Sequence, residues 1–376
     1  MAKKYVVKKK NIFILFLVII FLIIEIINPF KIIARNKLCD VGYSKESSNL
    51  ILSYGLKKDL IDIPYNVFID KNINSDDFII DNVDVYTNLH YYEKSNSVKL
   101  VNELIKKGYS STSIECILKT GTINSIEEIL SKDKYSDDII NKYLIYDFAS
   151  LANLDKYIEY KELNICKDED AVVKINLGLD REAYKDYDDV KEFSITMLVN
   201  KNNKLDANFV PNDLVKVDSK YCNEKECMAN SEMVNAFIKM ADDLNKEIGL
   251  NILMNGAYRS YNGQEEVYNK YKNLYGQSYV DKNVSLPGFS EHQTGLCTDI
   301  KASSSNIFDG SKESVWLKEN AYKYGFILRF EKKKEEITGY KSEPWHYRYV
   351  GKEVSSYIKE KGICFEEYYA RFLFNQ

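Results

Sequence analysis

The sequence predicts an α+β domain built on a central, mostly antiparallel sheet, preceded by a mainly helical region and an N-terminal membrane helix. Three observations carry this expectation. Beyond about residue 190, strand-like and helix-like segments do not alternate as strict β-α-β units, which favours antiparallel pairing. From 40 to 165 the periodicity is helical, with few Pro or Gly residues. The first 34 residues join a lysine cluster to an apolar run.

At the N-terminus, Lys3, Lys4, Lys8, Lys9 and Lys10 precede an apolar run from Ile12 to Ile24, interrupted at Glu25 and extended by Ile26 and Ile27. Phe30, Ile32 and Ile33 complete a span of about 20 residues. A cleaved signal peptide would need small residues at −3 and −1, and only Ala34 is offered, with Ile32 at −3. Cys39 lacks the small preceding residue of a lipoprotein signal. The expectation is therefore a cytoplasmic basic tail over 1–10 and an uncleaved, single-pass signal-anchor over 11–34. Five lysines before the span, against Lys31, Arg35 and Lys37 after it, place the body outside the cell membrane.

The region 40–165 carries an internal echo. Leu50-Ile51-Leu52-Ser53-Tyr54-Gly55-Leu56 recurs as Glu103-Leu104-Ile105-Lys106-Lys107-Gly108-Tyr109, and each is followed by a second apolar turn, Leu60-Ile61-Asp62-Ile63 or Ile114-Glu115-Cys116-Ile117-Leu118. Gly55 and Gly108 suit the left-handed position that closes a helix. Ser110, Ser111 and Thr112 are candidate N-caps. Short helix-turn-helix units serving as a spacer or binding module are expected. His90 reads as an ordinary structural histidine. Charged residues 167–170 mark the boundary before a second domain over 190–376.

In that domain, residues 193–199 read as a strand and 209–215 as extended chain. Ser231 caps a helix with Val234, Phe237, Ile238, Ala241, Leu244 and Ile248 on one face, closed by Gly249. A strand over 250–254 delivers Tyr258-Arg259-Ser260, and a helix follows over 263–274. Further strands are expected around Ile300, over 326–330 and over 345–350. Helices are expected over 314–324, ended by Gly325, and from about 352 onward.

Composition bounds the possible functions. The 376 residues suffice for two or three domains. A net charge of −4, from 52 basic and 56 acidic residues, implies no polyelectrolyte attraction to nucleic acid. Thirty Tyr and 17 Phe against 5 Pro argue for ordered structure. Seven cysteines cannot all pair within one chain, and no Cys-x-x-Cys zinc motif occurs. Cys222 and Cys227 could close a small loop disulfide in an exported domain, but unpaired thiols are expected.

The chemistry gathers on two of the three histidines. His292 and Asp299 lie seven apart with Gly295 between them, which suits a loop leading into a strand. His346 stands on a later strand, three residues after Glu343. Two imidazoles and a carboxylate can hold one Zn2+ and leave a fourth position for water, whose pKa the metal lowers. Glu343 can take the proton as general base, and Arg259 can stabilise an oxyanion or grip a carboxylate. Each piece alone reads as structural; the combination points to hydrolysis.

These residues resemble a known family. Tyr258-Arg259-Ser260 with Gln264, then Pro287-Gly288-Phe289-Ser290-Glu291-His292-Gln293-Thr294-Gly295-Leu296, then Glu343-Pro344-Trp345-His346-Tyr347-Arg348-Tyr349-Val350-Gly351, look like the VanY-type D-alanyl-D-alanine carboxypeptidases. The resemblance covers roughly 195–376. It implies the hedgehog/DD-peptidase α+β fold and a zinc metallopeptidase with His292, Asp299 and His346 as metal ligands. It further implies catalysis by Glu343 and Arg259, with Arg259, Gln264 and Ser290 along the peptide site. The implied substrate is the D-alanine end of a peptidoglycan stem peptide. Alternatives are an L,D-carboxypeptidase or D,D-dipeptidase on the same scaffold, or a non-catalytic cell-wall-binding protein. Cys297 departs from the small alanine usual in the family. Two residues before Asp299, it shares that residue's face of a strand and reads as an apolar filler, the alternative being a thiol near the zinc that competes as a ligand or invites oxidation.

Overall fold

The computed structural model describes residues 29–56, 65–90, 97–131 and 135–374. The basic tail, the expected signal-anchor up to residue 28 and the apolar turn at Leu60 to Ile63 lie outside these residues. The first described helix is Pro29–Val41. Among the described residues no helix is long and apolar enough to cross a membrane. The chain divides into two compact units, Met1–Leu154 and Asp155–Gln376.

The first unit is helical. Gly55 (φ 76°) and Gly108 (φ 87°) take the left-handed conformation expected of them, and Ser110 caps the helix Ser111–Thr120. The glycine turns of the sequence echo recur in the structure: Gly55 and Leu56 N–H donate to the Leu52 and Ile51 carbonyls as Gly108 and Tyr109 N–H do to those of Ile105 and Leu104. Side-chain contacts add a second correspondence, which equates Gly42-Tyr43-Ser44 with Gly108-Tyr109-Ser110. Ser44 N–H donates to Asp70 Oδ1 and Ser47 Oγ to the Asp70 carbonyl. Ser110 N–H donates to Asp137 Oδ1 and Ser113 Oγ to the Asp137 carbonyl. Ser44 and Ser110 each cap the helix that follows. Cap serines recognising an aspartate therefore join the glycine turns as recurring features of the unit. His90 is exposed, and its backbone N–H donates to Glu115.

The second unit holds a four-stranded, wholly antiparallel sheet: β1 Ile252–Asn255, β2 Cys297–Ala302, β3 Phe326–Phe330 and β4 Glu343–Tyr349, in the order β1-β2-β4-β3. Helix α1, Ser231–Ile248, covers it. Its buried Met233, Phe237, Met240 and Leu244 pack with Ile252, Met254, Ile300, Phe326 and Tyr347 in one apolar core. The N-cap is Asn230, whose side chain accepts from Met233 N–H, one residue earlier than expected. Gly249 ends the helix in the left-handed conformation. After β1 come α2, Tyr261–Tyr275, and α3, Gln277–Asn283. Helix α4, Lys312–Asn320, tightens into a 3-10 turn over Ala321–Tyr324 before Gly325. Helices α5, Lys352–Lys361, and α6, Phe365–Phe372, follow β4.

Residues 193–199 do not form the expected strand. Met197, Leu198 and Val199 are buried as the apolar pattern demands. The carbonyls of Ile195 and Met197 accept from the Arg348 guanidinium at 3.1 and 2.9 Å, so a side chain meets backbone groups that a neighbouring strand would otherwise satisfy.

Arg348 belongs to a buried cluster of four charges. Arg329 on β3 donates from Nε to Glu291 Oε1 at 2.8 Å, and from Nη1 and Nη2 to the two Glu366 oxygens at 2.8 and 2.5 Å. Arg348 Nη1 lies 3.1 Å from Glu291 Oε1. All four side chains are buried. Glu366→Ala would leave Arg329 with half its counter-charge. Urea unfolding of that variant is expected to report a loss of about 3–5 kcal/mol, the cost of breaking a buried pair. An unchanged stability would mean that Arg329 finds another anion or solvent.

Candidate active site

The site begins at a single 3-10 turn, Glu291–Thr294. Thr294 Oγ1 donates to the Glu291 carbonyl and accepts from Leu296 N–H, which closes the turn on itself. Gly295 (φ 67°) then redirects the chain into β2, and a Cβ there would come within 2.7 Å of Leu214 Cδ2. His292 is thereby held at the head of β2. Its Nδ1 lies 2.9 Å from the Ala257 carbonyl, which assigns the proton to Nδ1 and leaves Nε2 free to coordinate. That Nε2 is 3.9 Å from Asp299 Oδ1.

Sheet register supplies the next pair. Asp299 stands directly opposite His346 across β2 and β4, and residues so paired share a face. His346 Nδ1 lies 3.2 Å from Asp299 Oδ1 and 3.4 Å from Glu343 Oε2. Residues three apart on a regular strand face opposite ways. A bulge resolves this: Leu328 pairs with Tyr347 and Phe330 with Glu343, so two steps along β3 match four along β4. The extra residues swing Glu343 and His346 into the same cleft.

Arg259 follows β1 by a tight turn at Gly256 (φ 65°), where a Cβ would lie 3.1 Å from Arg259 Nη2 and 3.6 Å from Asp299 Oδ2. Arg259 Nη1 donates to Gln264 Oε1 at 2.8 Å, and buried Gln264 is fixed in turn by its Nε2 on the Ser285 carbonyl at 2.7 Å. All the residues singled out from the sequence (Arg259, Gln264, Ser290, His292, Asp299, Glu343 and His346) line one cleft of about 310 Å³.

The donor set fits a metal ion. Coordinating atoms of Asp299, Glu343 and His346 lie within 4.8 Å of one another, as do those of His292, Cys297 and His346. Asp299 Oδ1 is buried and faces both imidazoles without meeting hydrogen-bond geometry among the described residues, so it has room for a cation. Burial would raise the Asp299 carboxyl, but His292, His346 and Arg259 hold it below its ordinary value.

Two further residues complete the site, and the sequence reading missed the role of one of them. Cys297 does share the face of Asp299, but its thiol sits beside both imidazoles; burial raises it, His292 and His346 outweigh that, and the thiol is brought down to about 7. The second is Glu291, whose Oε2 is 3.5 Å from His346 Nε2. It orients the ring from behind, as an outer-shell carboxylate does. Burial pushes the Glu291 carboxyl up, yet Arg329, Arg348 and His346 hold it well below the usual carboxylate range. Its position beside His292 was a signal; its arginine partners, on two other strands, were not readable from spacing.

Residues 226–352 match the family model described as VanY, D-alanyl-D-alanine carboxypeptidase. The chain is 32% identical over 197 residues to a D-alanyl-D-alanine carboxypeptidase of Enterococcus faecalis, covering 49% of this chain and 68% of that protein. It is 33% identical over 181 residues to a bifunctional D-Ala-D-Ala dipeptidase and carboxypeptidase, VanXYC, of Enterococcus gallinarum, covering 46% and 92%. Among solved structures it is similar to the LdcB LD-carboxypeptidase, at 35% identity and a TM-score of 0.45, covering 49% of this chain and 94% of that one.

His346 is common to both ligand groupings, whereas Cys297, like His292 and Asp299, belongs to one. In a chelator competition, His346→Ala should lose more than about 100-fold in metal affinity, beyond the range of an outer-shell change. Cys297→Ala should stay within about 10-fold of the parent. Equal losses would make the thiol a ligand of the same rank.

Proposed function

The chain belongs to the VanY family of D-alanyl-D-alanine carboxypeptidases, and from that membership we propose a zinc enzyme that hydrolyses the terminal D-Ala of peptidoglycan stem peptides with His292, Asp299 and His346 as metal ligands. The observation that carries the residue assignment is the placement of Glu343, Asp299 and His346 side by side in one cleft by the β2–β4 register and the β4 bulge.

Two imidazoles and one carboxylate suit a catalytic zinc, which keeps an open position. Zinc bound there would lower the pKa of a water and polarise the scissile carbonyl. Glu343 accepts the proton of the attacking water and passes it to the departing amine of D-Ala. Arg259, braced by Gln264, offers a fixed guanidinium to the developing oxyanion or to the substrate's terminal carboxylate. Ser290, buried at the head of the 3-10 turn, lines the peptide site beside His292. Glu291 keeps His346 aimed.

We further propose that this domain works on the outer, cell-wall side of the membrane, held by the apolar segment over 11–34. The five lysines ahead of that segment support the orientation.

Incubation with tripeptide, tetrapeptide and pentapeptide stems tests the substrate. D-Ala is expected from the pentapeptide alone; release from the tetrapeptide would reassign the enzyme as an L,D-carboxypeptidase. Glu343→Ala is expected to lose at least about 100-fold in kcat while keeping its metal. Retained turnover in that variant would remove Glu343 from the mechanism.

A further inference from the structure

The hairpin of α2 and α3 presents an aromatic surface that the peptidase reading does not use. Tyr271 and Tyr275 lie one helical turn apart on α2, and Gly276 (φ 83°) turns the chain so that Tyr279 on α3 joins them. Their ring centroids are 6.0 Å (Tyr271–Tyr275), 6.3 Å (Tyr271–Tyr279) and 4.7 Å (Tyr275–Tyr279) apart, with interplanar angles of 27°, 14° and 38°. The three side chains are 36, 59 and 38% exposed, and Leu274 beside them is 61% exposed. Clustered exposed apolar surface of this kind marks an interaction site more often than scattered single residues do.

Three features say what covers it. First, Tyr271 and Tyr279 also line the cleft of Arg259 and Glu343, so the aromatic surface is continuous with the peptide site. Second, the hairpin is charge-balanced, with Glu265, Glu266 and Asp281 against Lys270, Lys272 and Lys282, so it favours an uncharged ligand. Third, planar polar side chains flank the rings. Gln277 Nε2 donates to Tyr268 Oη at 2.8 Å and to Asp281 Oδ1 at 2.6 Å, and Asn283 lines the cleft. An electron-rich aromatic face with amides and a carboxylate at its edge fits a pyranose ring. The sugar's polarised C–H groups lie on the rings and its hydroxyls reach the polar groups.

We propose that Tyr271, Tyr275 and Tyr279 form a platform for a sugar ring of the glycan strand that carries the stem peptide. The proposal rests on the carboxypeptidase reading for the identity of that glycan. It makes the protein a reader of wall-attached peptide over free peptide, because the sugar and the peptide terminus are bound on one continuous surface.

The test compares kcat/KM on a disaccharide-pentapeptide with that on the free pentapeptide. The parent protein should prefer the disaccharide form by at least about 5-fold, the scale of one aromatic contact. Tyr275→Ala should lose most of that preference, and Tyr275→Phe should keep it. Equal kcat/KM in the parent, or a preference untouched by Tyr275→Ala, would overturn the platform. If neither substrate is cleaved, the carboxypeptidase reading fails by itself. Tyrosine fluorescence titrated with a peptide-free glycan oligosaccharide then decides the platform: binding lost in Tyr275→Ala supports it, and absence of binding overturns it. Dimerisation abolished by Tyr275→Ala, seen by sedimentation, would assign the face to a second copy and also overturn it.

Discussion

The second unit depends on the neutralisation of charge in its interior. Glu291 and Glu366 face Arg329 and Arg348 out of solvent, and each ion alone would cost several kcal/mol to bury. The cluster is tolerable because every charge has an opposite one within hydrogen-bonding reach. It ties β3, β4, the 3-10 turn before β2 and helix α6 to one another. The same Glu291 that completes this balance stands behind His346, so packing and site geometry share a residue. Arg348 extends the cluster into the irregular stretch before the domain through the Ile195 and Met197 carbonyls.

That sharing explains what could be read from the sequence. Strand β3 over Phe326–Phe330 and the helix closed by Gly249 follow from local periodicity and a glycine stop, and both stand where the pattern put them. The cleft residues were readable because two of only three histidines sit in ordered motifs. Residues 193–199 have the composition of a strand, but their fate depends on an arginine some 150 residues away, which no local pattern encodes. The β4 bulge was hidden for a related reason. Its extra residues are defined only against β3, and Trp345 to Val350 alternates well enough to pass as a regular strand.

The helical unit shows the opposite case. Its repeat was visible as apolar turns ending in glycine, but the polar contacts that recur beside them were not. Ser44 with Asp70, and Ser110 with Asp137, are the pairs that recur. Apolar periodicity finds helices; capping chemistry finds how they are joined.

The position of Glu366 in the chain has a consequence in time. A chain made from its N-terminus exposes His292 and Asp299 first, then Arg329, and Glu366 only 37 residues after that. Without α6, the two guanidiniums would have only Glu291 between them. Because that same carboxylate stands behind His346, the charge balance at the back of the cleft is incomplete in any fragment that stops short of Glu366.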